Sequence, residues 1–138
     1  MKKVLVDTNV ALDFFLEREP FYQDAKRLFQ AIATHKVEAL ISATSLKDIY
    51  YIFCRTTKDE AGALATVKRL LVLMQVCEVN KSTIERAIEL NFKDFEDAIQ
   101  VAAVEPKTPN VIVTRNARDF RGTEIFKMTP GQLLEQFE

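Results

Sequence analysis

The sequence predicts an α/β domain built on a parallel sheet, and three observations carry that prediction. Short apolar runs alternate with longer segments of helical periodicity. The first run, Lys3 to Val6, is continuously apolar after its lysine, as strands buried on both faces are. That run stops on Asp7, at a strand's carboxyl end, where open α/β sheets place their ligands.

Strand one, Lys3 to Val6, leads into a helix from about Thr8 to Arg18, with Val10, Leu12, Phe14, Phe15 and Leu16 as its apolar surface. Pro20 suits the first turn of a second helix reaching about Thr34, in which Phe21, Ala25, Leu28, Phe29 and Ile32 fall at helical spacing. Val37 to Ala43 reads as strand two. Thr44 and Ser45 are suitable N-caps for a helix from Leu46 to about Arg55, and Asp59 for one ending near Gln75. Val76 to Val79 reads as strand three. Ser82 or Thr83 caps a short helix through Leu90, and Asp94 caps another through Val104. Val111 to Thr114 is a further strand, followed by a loop to Gly122, and Glu124 to Met128 is the last. Thr129-Pro130 supplies an N-cap and N1 for a closing helix. With 138 residues, 48% of them hydrophobic, and only 3 glycines and 4 prolines, one ordered domain over 1–138 is the natural reading.

The net charge of −1 excludes a general electrostatic attraction to nucleic acid or membrane, so a polyanion would need a local basic patch or bound cations. The two cysteines, Cys54 and Cys77, lie in apolar surroundings and read as buried free thiols of a reducing interior. Asp7 interrupts the N-terminal apolar run too early for a signal peptide, and no run reaches the ~20 residues of a membrane span. A soluble cytoplasmic protein with no membrane partner is expected. A lone His35, two cysteines and no glycine-rich phosphate loop argue against structural zinc and nucleotide-binding folds.

Four acids at the starts or turns of elements carry the chemistry: Asp7, Asp48, Asp97 and Asp119. Convergence of such residues suits a divalent-metal site. Taken alone, Asp7 reads first as the N-cap of its helix; if Thr8 caps instead, Asp7 stands free at the sheet edge, with Asn9 beside it to orient a carboxylate or a water. Asp48 reads either as a solvated acid or as a group beside the seam of Ile49, Ile52 and Phe53. Asp94 and Asp97 share a helical face; Asp94 fits a cap, whereas Asp97, among Ala98, Val101 and Ala102, is expensive to bury unless paired or bound to a cation. Asp119 reads as a turn acid or a site acid, near Thr114 and Asn116 at a strand's end. Arg115, Arg118 and Arg121, spaced by three, read as a small basic rim suited to phosphate or as solvated loop charges.

Taken together, Val4-Leu5-Val6-Asp7-Thr8-Asn9, Ile41-Ser42-Ala43-Thr44-Ser45-Leu46-Lys47-Asp48, Asp94-Phe95-Glu96-Asp97-Ala98 and Val113-Thr114-Arg115-Asn116-Ala117-Arg118-Asp119-Phe120 resemble, in order and across the whole chain, the four motifs of the PIN-domain family. Asp48 stands where the family commonly has Glu. Asn116 stands where it often has an acid, which leaves Asp119 as substitute ligand or as a neighbour acting through water. The resemblance to this family, many members of which at similar size are VapC-like toxin ribonucleases, implies a three-layer α/β/α domain with a central parallel sheet and metal-dependent cleavage of RNA. It also implies a homodimer and an antitoxin partner. On this reading Asp7, Asp48, Asp97 and Asp119 gather Mg²⁺ or Mn²⁺, which prefer oxygen ligands and make water a nucleophile near neutral pH. Thr8, Asn9, Asp94, Thr114 and Asn116 support them. The alternatives are a catalytically impaired nucleic-acid or protein-binding module of the same fold, motivated by Asp48 and Asn116, and a phosphotransfer site on Asp7, which lacks the usual second Asp because Asn9 stands there.

Overall fold

The computed structural model describes residues 1–137. Five strands form one parallel sheet: β1 (Lys2–Val6), β2 (Val37–Ser42), β3 (Gln75–Cys77), β4 (Val111–Val113) and β5 (Phe126–Met128). Their order across the sheet is β3-β2-β1-β4-β5. Seven α-helices connect and cover them: α1 (Thr8–Phe15), α2 (Tyr22–Ala33), α3 (Ala43–Thr57), α4 (Glu60–Leu73), α5 (Lys81–Leu90), α6 (Phe95–Val104) and α7 (Pro130–Glu135). The expected three layers are present. Because side chains alternate along a strand, Val4, Val6, Val37, Ala39, Ile41, Val111 and Val113 pack on one face with Leu12, Leu28, Ile49, Leu70 and Leu133 of the helices. Leu5, Leu40, Cys77 and Ile112 face the other way, against Val101 and Val104 of α6. α5 closes the outside of α6 through Ala87, Ala98, Ile99 and Ala102.

Chain order builds the functional edge. The first connections carry the chain from β1 outward to β2 and β3; the return through α5 and α6 then sets β4 on the opposite side of β1. The sheet therefore reverses direction between β1 and β4, and the crevice outside their carboxyl ends is where such sheets bind ligands. Val6 pairs with Val113, so the next residues, Asp7 and Thr114, emerge side by side.

Several expected boundaries are corrected. α1 stops at Phe15 rather than Arg18, because Glu17 is left-handed (φ 51°) and the Arg18 backbone N–H turns back to the Asp13 carbonyl. α3 begins three residues early because Ser42, not Thr44 or Ser45, is its N-cap and accepts from the Ser45 N–H. α5 is capped by Asn80, in a reciprocal box with Thr83. The caps at Asp59, Asp94 and Thr129 are as expected. Both cysteines are free. Among the described residues, no helix is long and apolar enough to cross a membrane.

Candidate active site

Asp7 occupies the N-cap position of α1, but its side chain makes no cap bond. The carboxylate, 6% exposed, turns inward instead. Its Oδ2 accepts from the Thr114 hydroxyl at 2.8 Å, and its Oδ1 accepts from Gln100 Nε2 at 3.1 Å. Burial pushes its pKa up, opposed by those two hydrogen bonds and by the Thr8 backbone, with a further raising influence from Asp119.

Asp97 stands one turn before Gln100 on α6, and its Oδ1 accepts from the same Nε2 at 3.4 Å. One amide thus joins two acids. Burial, then the charges of Asp7, Asp94, Asp119 and Glu96, push the Asp97 carboxyl up to about 7. Asp94 caps α6, with its Oδ1 accepting from the Glu96 and Asp97 N–H groups. Asp119 is exposed at the rim, its Oδ1 accepting from Asn116 Nδ2 at 3.2 Å. Asn116 in turn caps the 3-10 turn through the Arg118 N–H.

Asp48 lies to one side. It forms an ion pair with Lys47 at 3.0 Å and shares a hydrogen bond with the Glu96 carboxyl. That bond, followed by burial and the charge of Asp48, pushes Glu96 up to about 7. The edge therefore consists of an Asp7–Asp97 pair with Asp119 in electrostatic reach, flanked by an Asp48–Glu96 pair. Among the described residues, no three acids close to the spacing of a single ion. Thr8 supports the edge by donating its hydroxyl to Ser45 Oγ at 2.8 Å, and Ser45 meets Ser42 Oγ at 2.9 Å, which ties the starts of α1 and α3 together.

The arginines divide. Arg115 is held by buried Asp13, through Nε at 2.7 Å and a second, shorter contact to Oδ1, and its guanidinium lies 3.9 Å over the Phe21 ring. Arg18 meets the same Asp13 at 2.9 Å and donates to the Asn9 carbonyl and side-chain oxygens. Asp13, 1% exposed, thus anchors both the Arg115 loop and Asn9. Asp13→Asn is expected to cost about 2 kcal/mol, as for loss of a charge-assisted hydrogen bond whose arginine partners still reach water. Urea denaturation checks this, and unchanged stability would dismiss the anchor. Arg118 and Arg121 are exposed and line, with Lys93, Asp94 and Asp119, a groove of about 630 Å³ beside the acids. Gly122 lies against the Phe92 ring on that groove, where any side chain would collide.

Sequence reasoning passed over Gln100, Glu96 and Asp13. Gln100 carried a signal, a lone amide in the apolar run Ala98 to Val104, one turn after Asp97.

A family model described as a PIN domain matches residues 3–118. The chain belongs to the PIN domain family. Ribonuclease VapC1 of Aquifex aeolicus is 27% identical to this PIN domain chain over 141 residues, covering 99% of this chain and 96% of that protein. The structure of Mycobacterium tuberculosis VapC20, described as a Sarcin-Ricin loop cleaving toxin, superposes with a TM-score of 0.70 at 18% identity, over 85% of this chain and 92% of the other. A toxin–antitoxin complex from Klebsiella pneumoniae gives a TM-score of 0.67 at 24% identity, over 92% and 97%. These likenesses agree with the five-stranded PIN architecture described above.

Proposed function

We propose that this PIN domain protein is a divalent-metal-dependent endoribonuclease, the toxin of a toxin–antitoxin pair. The observation that carries the reading is the Asp7–Asp97 pair, bridged by one buried amide at the sheet's reversal point and crowded enough to push Asp97 up to about 7. The family membership and the names of the relatives support it.

The residues fit a cation. Every donor at the edge is a carboxylate, hydroxyl or amide oxygen, the donor chemistry of Mg²⁺ or Mn²⁺. Acids that repel one another in a partly buried crevice are relieved by a cation. Asp7 and Asp97 would hold it, with Asp119 at the rim; magnesium commonly takes one or two carboxylates and completes its shell with water and substrate phosphate. Such a cation supplies Lewis acidity at the phosphate and makes a nearby water more acidic. The protein's own part is orientation and proton handling. Thr114 and Gln100 fix the two Asp7 oxygens, and the Glu96 carboxyl beside Asp48, pushed up to about 7, can take up or release a proton at neutral pH. Arg118, Arg121 and Lys93 along the groove can contact flanking phosphates without a globally positive surface. The same reading makes the protein a cytoplasmic homodimer restrained by a small antitoxin.

The test is an RNA cleavage assay on purified protein with Mg²⁺, Mn²⁺ or a chelator. Cleavage is expected with either cation and falls to background with the chelator. Cleavage indifferent to chelation would reject the metal-dependent reading. RNA binding with no cleavage in either cation would favour the impaired binding module.

A further inference from the structure

Gln100 is 1% exposed on a helix segment that is otherwise apolar. Its Nε2 hydrogens go to Asp7 and Asp97, at 3.1 and 3.4 Å. Its Oε1 is buried and, among the described residues, lacks a hydrogen-bond partner. The amide's orientation is fixed by chemistry, because turning it over would press an oxygen against two carboxylates. An orphaned buried acceptor is destabilising, so packing alone would favour Met or Leu at this position. What the amide provides in return is one donor group spanning two acids that repel each other, on elements whose bonded residues lie 93 positions apart in the chain.

We propose that Gln100 is a positioning residue of the PIN edge: its amide sets the separation and orientation of Asp7 and Asp97 so that the pair can take up a divalent cation. It does so without touching the reacting atoms. The inference rests on the cation-binding reading above. Groups that orient ligating carboxylates are typically worth 10- to 100-fold in metal affinity. Thr114 orients the other Asp7 oxygen from β4's end, so Gln100 is the only one of Asp7's two side-chain donors that also reaches Asp97.

The experiment is calorimetric titration of Mn²⁺ into the wild-type protein, Gln100→Met and Gln100→Leu, with a thermal melt of each in the absence of added metal. Both variants are expected to fold and to bind Mn²⁺ 10- to 100-fold more weakly, with RNA cleavage recovering towards wild type at saturating Mn²⁺ because the acids themselves are intact. Wild-type Mn²⁺ affinity in either folded variant overturns the inference and leaves the nuclease reading standing. Failure of both variants to fold even with Mn²⁺ assigns Gln100 to packing and overturns it too. A wild-type protein that binds no Mn²⁺ removes the cation reading itself, and this inference with it.

Discussion

Asp7→Asn is expected to lower RNA cleavage by on the order of 10³-fold while leaving the protein folded. A cation's contribution to phosphate transfer is several kcal/mol, and about 4 kcal/mol corresponds to that factor. Asn keeps the volume and the N-cap position, and no side-chain cap bond is lost because Asp7 makes none. The buried carboxylate is also an electrostatic burden, its pKa pushed up chiefly by desolvation, so its removal is expected to leave the thermal midpoint unchanged or higher. Single-turnover cleavage and a melting curve on the same preparation check both halves. A folded variant that still cleaves within tenfold of wild type would take Asp7 out of the chemistry. A cleavage loss accompanied by collapse of the fold would return it to a structural role.

The second large effect is a stability that declines with pH. Asp97 and Glu96 sit at about 7 in the folded protein, against about 4 for free carboxyls. Between those values the folded protein keeps protons that the unfolded chain has released. Stability from these two groups is therefore intact at about pH 4, is lost as pH rises through the window to about 7, and is fully lost above it. Both carboxyls are partly solvated, which reduces the effect to about 1–2 kcal/mol for Asp97. At pH 8, without added cation, Asp97→Asn is expected to melt about 2–6 °C above wild type, and at pH 4 the two should coincide. Added Mn²⁺ should flatten the wild-type slope, since a cation replaces the protons. Melting curves across pH with and without Mn²⁺ decide it. A wild-type protein that gains stability from pH 5 to 8 without metal would contradict the crowded-acid description.

Much of this architecture was legible in the chain. β1 and its terminal Asp7 were readable because a buried parallel strand has a continuous apolar signature, and Asp94 was readable as a cap because capping is local. That the Asp97 carboxyl is partly buried and pushed up was legible from its apolar neighbours. The destination of the Asp7 side chain was not, because Asp7 and Thr8 can both cap, and the choice was made by Gln100 and Thr114 arriving from distant elements. The Asp48–Glu96 contact depends on how α3 meets α6, which no local pattern encodes. The expected arginine rim kept only Arg118 and Arg121 in the groove, because Arg115 found a buried counter-charge in Asp13, an acid that local sequence disguises between Leu12 and Phe14.

The Asp7–Thr114 bond spans 107 positions. β1 alone cannot cradle Asp7; the cradle exists only once β4 has slotted in beside it. The acid is thus gripped only while two remote stretches of backbone stay paired, and a local opening that peels β4 away lets it go.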